Sequence, residues 1–568
     1  MTTGSDLLCT TLEGLGVECV FGLPGTQNVP IFEGLRQSRL RTVLATHELA
    51  AGFMANGYAR ASGRVGVLCT IPGPGFTYAL TALAEARHDS AALLHITGTP
   101  EEEGDRKFRL QAIDQRAMAL PVAKDVVRVD SADVLAERLV QAHALTLSGE
   151  PGPVVVEVSP QAQAALVGGR VARLAPVEPP FVDEAGVERL HARLLAARRP
   201  IFFVGQGAAS GAAELLVVAE RLGVPVATTL SGRGALPEDH PLALAVDLGG
   251  DGIGLLNDLI ASADLVVALG CKFSHNGTGG FRLRLPADRL VHVDASSASL
   301  GANYPASLLV RADVPTALRR LAAASGAAPP VSGWAAEELE GFRRAVASRR
   351  GQGLPDPVIH GANPATAAGF FHALREAMPA DAILTLDSGL HQGLARRHFE
   401  VRTPRGLITP SDFQSMGFGL PAAIGARLAS PERPVVALIG DGGLAMSGLE
   451  LLTAVRERIP VTVIVFNDGH LGLIRMQQVR EYGHTHAVDL QNPNLAGLAR
   501  AVGARHVILE GDAVATLRGA IGSGETTLVE VRVGDSWGQR MEQARVVARE
   551  ATRTLIGPRL ISWLKRMR

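Results

Sequence analysis

Lysine is scarce in this chain of 568 residues. Lysine and arginine together number 55, yet the lysines are Lys107, Lys124, Lys272 and Lys565. Schiff-base chemistry is therefore disfavoured. Cysteine is scarce too. Cys9, Cys19, Cys69 and Cys271 stand apart, none in a CxxC pair, so neither a disulfide framework nor a structural zinc site is expected. No stretch of about 18 apolar residues occurs, so no membrane span is expected. The first residues, MTTGSDLLCTTLEGLG, lack a basic region followed by an apolar run. No signal peptide is expected, and the cytoplasm is the expected compartment. An excess of one charge is also missing, with 55 basic residues against 56 acidic ones. No field exists to draw in nucleic acid or an anionic membrane, and the expected partner is a small molecule.

What is present is apolar substance, 47% of the residues, in a chain long enough for about three or four domains. Two Pro/Gly/Ala-rich separators, at 161–186 and 324–364, divide it into three blocks. Apolar runs at 65–71, 201–204, 265–269, 291–294, 435–439 and 461–466 read as buried parallel strands, with helical patterns between them. This predicts α/β domains with open, mostly parallel sheets and sites at the strand C-terminal ends. The first and third blocks share a layout of strand, glycine turn, helix and strand. That fits two related domains flanking a different one.

The strongest motif is Gly440-Asp441-Gly442, then 24 residues, then Asn467-Asp468-Gly469, each end following an apolar strand. Glycines let the backbone approach an anion at a helix N-terminus. Asp441 and the Asn467 amide oxygen are hard ligands suited to Mg²⁺, which would bridge them to a diphosphate. The bland alternative is a pair of ordinary strand-end turns. No GxxxxGK[ST] loop occurs.

This spacing resembles the signature of thiamine-diphosphate enzymes, and further segments resemble the acetolactate synthase large subunit within that superfamily. They are Phe21-Gly22-Leu23-Pro24-Gly25, His47-Glu48-Leu49-Ala50-Ala51-Gly52 followed by Gly57-Tyr58-Ala59-Arg60, Gly73-Pro74-Gly75, Lys124 placed 13 residues after Gln111, and the run from Ser415 to Ala426, SMGFGLPAAIGA. The resemblance implies three α/β domains: pyrimidine-binding (1–170), central (187–325) and diphosphate-binding (362–545), with a tail at 546–568. It implies thiamine diphosphate and Mg²⁺ as cofactors. Asp441, Asn467 and the Gly469 carbonyl would hold the metal. Gly25, Pro74 and Gly75 would bind the cofactor, and Met416 would hold it in its bent conformation. His391 and Gln392 would contact its diphosphate, beside the glycines Gly440, Gly442 and Gly443, and His470 and Leu471 would also bind the cofactor. Glu48 would exchange a proton with the pyrimidine ring, and Gln111 would bond a reacting oxygen. By the same resemblance Glu48 of one subunit serves the cofactor held by another, so a homodimer or homotetramer is expected. By residue type alone, Glu48 is also a first-turn glutamate complementing a helix dipole. Met416 is also a core methionine, His391 and Gln392 caps or loop residues, and Gln111 a surface glutamine.

The implied reaction is decarboxylation of a 2-oxo acid and joining of the remaining fragment to an acceptor carbonyl. A simple 2-oxo-acid decarboxylase, and a lyase acting on an acyl-CoA or sulfoacetaldehyde, are the alternatives. A silent homologue acting as scaffold and, from the sheets alone, a flavin or nicotinamide oxidoreductase are others. Two departures bear on this. Gln477 stands where biosynthetic relatives carry Trp. The segment Phe108-Arg109-Leu110-Gln111-Ala112 lacks the adjacent His pair of some aldehyde-releasing relatives, which favours carboligation. The family's flavin segment, GxRFDDRxTG, here reads Gly270-Cys271-Lys272-Phe273-Ser274-His275-Asn276-Gly277-Thr278-Gly279. Lys cannot copy a bidentate Arg contact, and Asn brings no charge. FAD binding is expected to be weak or absent.

Overall fold

A computed structural model of the chain describes residues 2–100, 106–168, 181–250, 252–326, 332–350 and 356–535. The expected tail at 546–568, with Trp563, and also Trp537 lie outside these residues. Among the described residues no helix is long and apolar enough to cross a membrane.

Three sheets carry the molecule. Across the first, the strands run Arg41–Leu44, Cys19–Gly22, Gly66–Thr70, Leu93–Gly98, Val154–Val158 and Asp125–Val129, all parallel. Across the third they run Leu407–Ile408, Ile383–Leu386, Val435–Gly440, Thr462–Asn467, Thr527–Gly534 and Arg505–Ile508, again parallel. A short strand, Val358–Ile359, adds antiparallel to the last residues of Thr527–Gly534. In chain order both sheets read second, first, third, fourth, sixth, fifth. The shared layout seen in the sequence is thus a shared topology. The middle sheet runs Val226–Thr228, Pro200–Val204, Leu265–Leu269, Leu290–Asp294 and Leu308–Arg311, or second, first, third, fourth, fifth. The strands are β-branched and apolar because helices cover both faces. In Val154–Val158 every residue is buried.

In each sheet the first and third strands are neighbours whose connections leave in opposite directions. The crevice at their carboxyl ends is where open α/β sheets bind ligands. In the first domain that point carries Gly25 and the turn at Gly73-Pro74-Gly75. In the third it carries residues 387–391 and 440–443, and in the middle domain Gly205 and Gly270.

The outer domains pack against each other through equivalent helices. Glu48–Ser62 and Gly419–Ala429 each join the second strand of their sheet to the third. They cross so closely that a methyl group on Gly57 would overlap the Ala422 carbonyl, and one on Gly425 the Met54 carbonyl. Phe53 and Phe418 stack edge-on with centroids 5.3 Å apart at this contact. One continuous apolar core therefore runs through both domains.

Candidate active site

In the third domain strand Ile383–Leu386 ends at Asp387, which is wholly buried. Its Oδ1 accepts from the Ser388 and Gly417 amides at 2.7 and 3.0 Å, and its Oδ2 from the Gly419 amide at 3.1 Å. Burial pushes its carboxyl up to about 6 against those donors. The effect is to pin the loop that carries Met416 across the crevice. The sequence reading passed over Asp387, although a carboxylate ending a buried strand at a switch point is a recognisable signal.

The next strand, Val435–Gly440, delivers Asp441 as the first residue of helix Asp441–Ser447, which starts at the Asp rather than after the glycines. Its Oδ1 accepts from the Gly442 amide at 2.8 Å, and its Oδ2 from the Gly469 amide at 2.7 Å. The amide nitrogen of Asn492 donates to Asp441 Oδ2 at 2.6 Å and to Asn467 Oδ1 at 2.8 Å. One neutral amide donor thus sits where the two predicted ligand oxygens converge. Gly469, at φ +72°, turns the chain here, and its carbonyl accepts from Leu490 at 2.8 Å. His470 Nδ1 lies 2.9 Å from Asp489. The 488–493 segment is therefore clasped over the motif. Nothing in the sequence marks Asn492, which lies in a loop without pattern. Among the described residues no three His, Cys, Asp or Glu side chains cluster as a metal site. A carboxylate, an amide and a backbone carbonyl need no such cluster, and this set suits a hard divalent ion.

Below these oxygens lies a cavity of about 130 Å³ lined by His391, Met416, Gly440, Gly442, Gly443 and Leu471, among others. His391, 5% exposed, has an Nε2 with no hydrogen-bond partner. Burial holds it neutral, down to about 4. A buried neutral imidazole beside three glycines fits an acceptor such as a diphosphate oxygen. Gln392, in contrast, spends its amide on Thr409 Oγ1 at 2.8 Å and the Pro410 carbonyl at 2.9 Å, away from this cavity.

The second group of predicted residues gathers in the first domain. A methyl group on Gly75 would lie 3.1 Å from Glu48 Oε1 and 2.7 Å from Ile71. Ile71 also fills the space left by the missing side chain of Gly25. Gln111 takes the left-handed backbone, φ +57°, rare for a residue with a side chain. It packs on Gly73, and its Oε1 is buried without a partner. Glu48, Gly25, Pro74, Gly75 and Gln111 thus share one platform. Within one chain Glu48 does not line the cavity under Asp441. Its neighbours His47 and Leu49 share a groove of about 350 Å³ with Asp441 and Asn492.

Residues 2–118, 187–321 and 387–531 match, in order, the N-terminal TPP binding domain, the central domain and the C-terminal TPP binding domain of thiamine pyrophosphate enzymes. The chain belongs to the thiamine pyrophosphate enzyme family. It is 31% identical to the acetolactate synthase isozyme 1 large subunit of Escherichia coli K12, over 94% of each chain. It is 33% identical to the acetolactate synthase large subunit of Parasynechococcus marenigrum, over 94% of this chain and 87% of that one. It is also 33% identical to a probable 2-ketoarginine decarboxylase of Pseudomonas aeruginosa, over 93% of this chain and 94% of that one. It is a thiamine-pyrophosphate-dependent enzyme of the acetolactate synthase type, a transferase or lyase.

The residues that align with the family's flavin segment lie in the central domain. Its crevice, about 330 Å³, opens beside Gly205, Gly270 and Lys272. The Lys272 ammonium is 2.5 Å from Glu150 and donates to the His88 carbonyl at 2.9 Å. The Asn276 amide donates to Ser411 O at 2.5 Å, and its backbone N–H to Asp412 at 2.9 Å. The side chains at the two flavin-segment arginine positions are spent on tying this loop to the outer domains.

Proposed function

We propose that the enzyme decarboxylates a 2-oxo acid and joins the remaining two-electron fragment to an acceptor carbonyl, with Mg²⁺ anchoring thiamine diphosphate. The observation that carries this reading is the convergence of Asp441 Oδ2 and Asn467 Oδ1 on a single donor, above a cavity with an unpartnered His391. When bound, thiamine diphosphate supplies a carbon nucleophile that can hold the electrons released by decarboxylation. Asp441, Asn467 and the Gly469 carbonyl hold the metal. His391, Gly440, Gly442 and Gly443 face the diphosphate, with His470 and Leu471 around it. Met416 and the Gly25, Pro74 and Gly75 platform orient the rings. Glu48 moves a proton at the pyrimidine ring, and Gln111 donates to a reacting oxygen.

Glu48 and Asp441 belong to different protomers of a homo-oligomer in this reading. Its support is that Glu48 faces its own turn at Gly75 and stays out of the cavity under its own Asp441. Carboligation is favoured by the lack of a His pair beside Gln111. The decarboxylase reading has its own support in the 2-ketoarginine decarboxylase relative. The Lys272 and Asn276 contacts support a purified enzyme that is colourless and active without FAD.

Incubation with a panel of 2-oxo acids, thiamine diphosphate and Mg²⁺, read by NMR, tests the reaction. A 2-hydroxy-3-oxo acid or acyloin should exceed free aldehyde. Aldehyde as sole product, with acceptor in excess, would move the enzyme to the decarboxylases. A yellow preparation with stoichiometric FAD would overturn the flavin reading.

A further inference from the structure

Under the turn at Gly73 lies a set of polar groups that the proposed chemistry does not use. Gly73 has φ +64°, which aims its N–H into the domain. That N–H donates to Gln115 Oε1 at 3.1 Å. The Gln115 Nε2 donates in turn to the Gly98 carbonyl at 3.2 Å and to Glu157 Oε1 at 2.8 Å. Gln115 is 2% exposed and Glu157 5% exposed. Glu157 interrupts a strand otherwise made of valine, Val154–Val158. A buried carboxylate and a buried amide cost free energy unless bonded, and here each meets the other. The junction needs one acceptor for Gly73 and donors for two oxygens, which a glutamine amide supplies from one side chain.

The turn so held carries both groups of the proposed chemistry. Gln111 packs on Gly73, and Glu48 Oε1 lies against Gly75. We infer that Gln115 and Glu157 are positioning residues, which fix the Gly73-Pro74-Gly75 turn and through it the placement of Glu48 and Gln111. The inference rests on the role proposed for Glu48. Other charges among the described residues around the pair have partners of their own. Asp114 caps the helix Gln115–Ala119, and Arg116 donates to the Val126 carbonyl at 2.5 Å. Arg128, register neighbour of Glu157 on the adjacent strand, is bonded to Asp130 at 2.9 Å. His95, on the other neighbouring strand, is held neutral by burial, down to about 3. Glu48 lies across the turn.

Gln115→Glu makes the inference testable through pH. The new carboxyl can still accept from Gly73, but its second oxygen then faces Glu157 and Gly98 O. Two carboxyls at that separation share a proton, so the donor exists at acid pH and vanishes as pH rises. Gln115→Met removes donor and acceptor at all pH. Two readouts apply: amide hydrogen exchange at Gly73 in the cofactor-free protein, and carbon-2 proton exchange of bound thiamine diphosphate, with Glu48→Gln as reference. Gln115→Met should expose the Gly73 amide and slow carbon-2 exchange by about ten- to a hundredfold, the scale of a small misplacement. Gln115→Glu should approach wild type at acid pH and lose both properties as pH rises, a limb that wild type lacks. If Glu48→Gln slows exchange while Gln115→Met leaves it at the wild-type rate, the positioning role falls alone. If Glu48→Gln leaves exchange unchanged, the proton-transfer role of Glu48 falls first. Should Gln115→Met not fold, a flat pH profile in Gln115→Glu still overturns the inference.

Discussion

Asp441 accepts three hydrogen bonds, from Gly442, Gly469 and Asn492, so its position is fixed before any cation arrives. Asp441→Ala should abolish activity, because the neutral Asn467 amide and Gly469 carbonyl would hold Mg²⁺ only weakly without an anionic protein ligand, and the diphosphate would lose its anchor. Activity retained by the variant after EDTA treatment would remove it from the metal site. Glu48→Gln keeps the shape and removes the titrating group. It should slow carbon-2 exchange by about 10²–10⁴, the usual scale for a general acid or base, as measured by NMR in D₂O. At this scale Asp441 and Asn467 were readable because each closes an apolar strand, and strand ends are legible in sequence. Asn492, Asp387 and Gln115 were not singled out. Their importance arises from what the fold brings to them, and residue type carries none of that. Gln392 shows the same limit in reverse. Its amide is bonded to Thr409 and Pro410 rather than directed into the cavity.

Between elements, the crossing of Glu48–Ser62 with Gly419–Ala429 sets how the outer domains meet. Gly57→Ala must push Ala422 away and should cost about 1–3 kcal/mol, the usual cost of overpacking. Gly254→Ala is the control. It lies in helix Gly252–Ser262 with open space around it, and should be neutral or stabilising by up to about 1 kcal/mol. Equilibrium denaturation of both variants checks the contrast, and equal midpoints would refute the close crossing. A second contact joins helix Pro74–His88 to the loop that carries Met416. Glu85, wholly buried, accepts from the Ser415 amide at 2.9 Å, and Asp89 accepts from Ser411 Oγ at 2.6 Å and from Arg60 at 2.7 Å. Burial first, and then the Asp89 carboxylate, raise the Glu85 carboxyl well above the ordinary range. The folded state therefore holds this proton more tightly than the unfolded chain. Its contribution to stability is complete below the unfolded pKa and is lost as pH rises through the folded one. Glu85→Gln should flatten the fall in stability between mildly acid and neutral pH. An unchanged slope in denaturation midpoints against pH would contradict this.

For the whole molecule, alternating strand and helix patterns with two Pro/Gly/Ala-rich breaks were enough to foresee three parallel-sheet units. The identical strand order of the outer two was beyond sequence pattern, because order depends on which strands pair across long separations. That order places Gly25 with Gly73 in one domain and His391 with Gly440 in the other, at equivalent switch points. In the proposed function each outer domain presents half of a site: proton transfer in the first, metal and diphosphate in the third. The central claim is that a working site takes Glu48 from one protomer and Asp441 from its partner. Subunit complementation tests it most directly. Glu48→Gln and Asp441→Ala chains, each inactive alone, are mixed under conditions that exchange protomers, and activity is measured. In a mixed symmetric dimer one site receives both native residues, so random exchange should restore about a quarter of wild-type activity. No recovery, with heterodimers demonstrated by native mass spectrometry, would contradict the shared site.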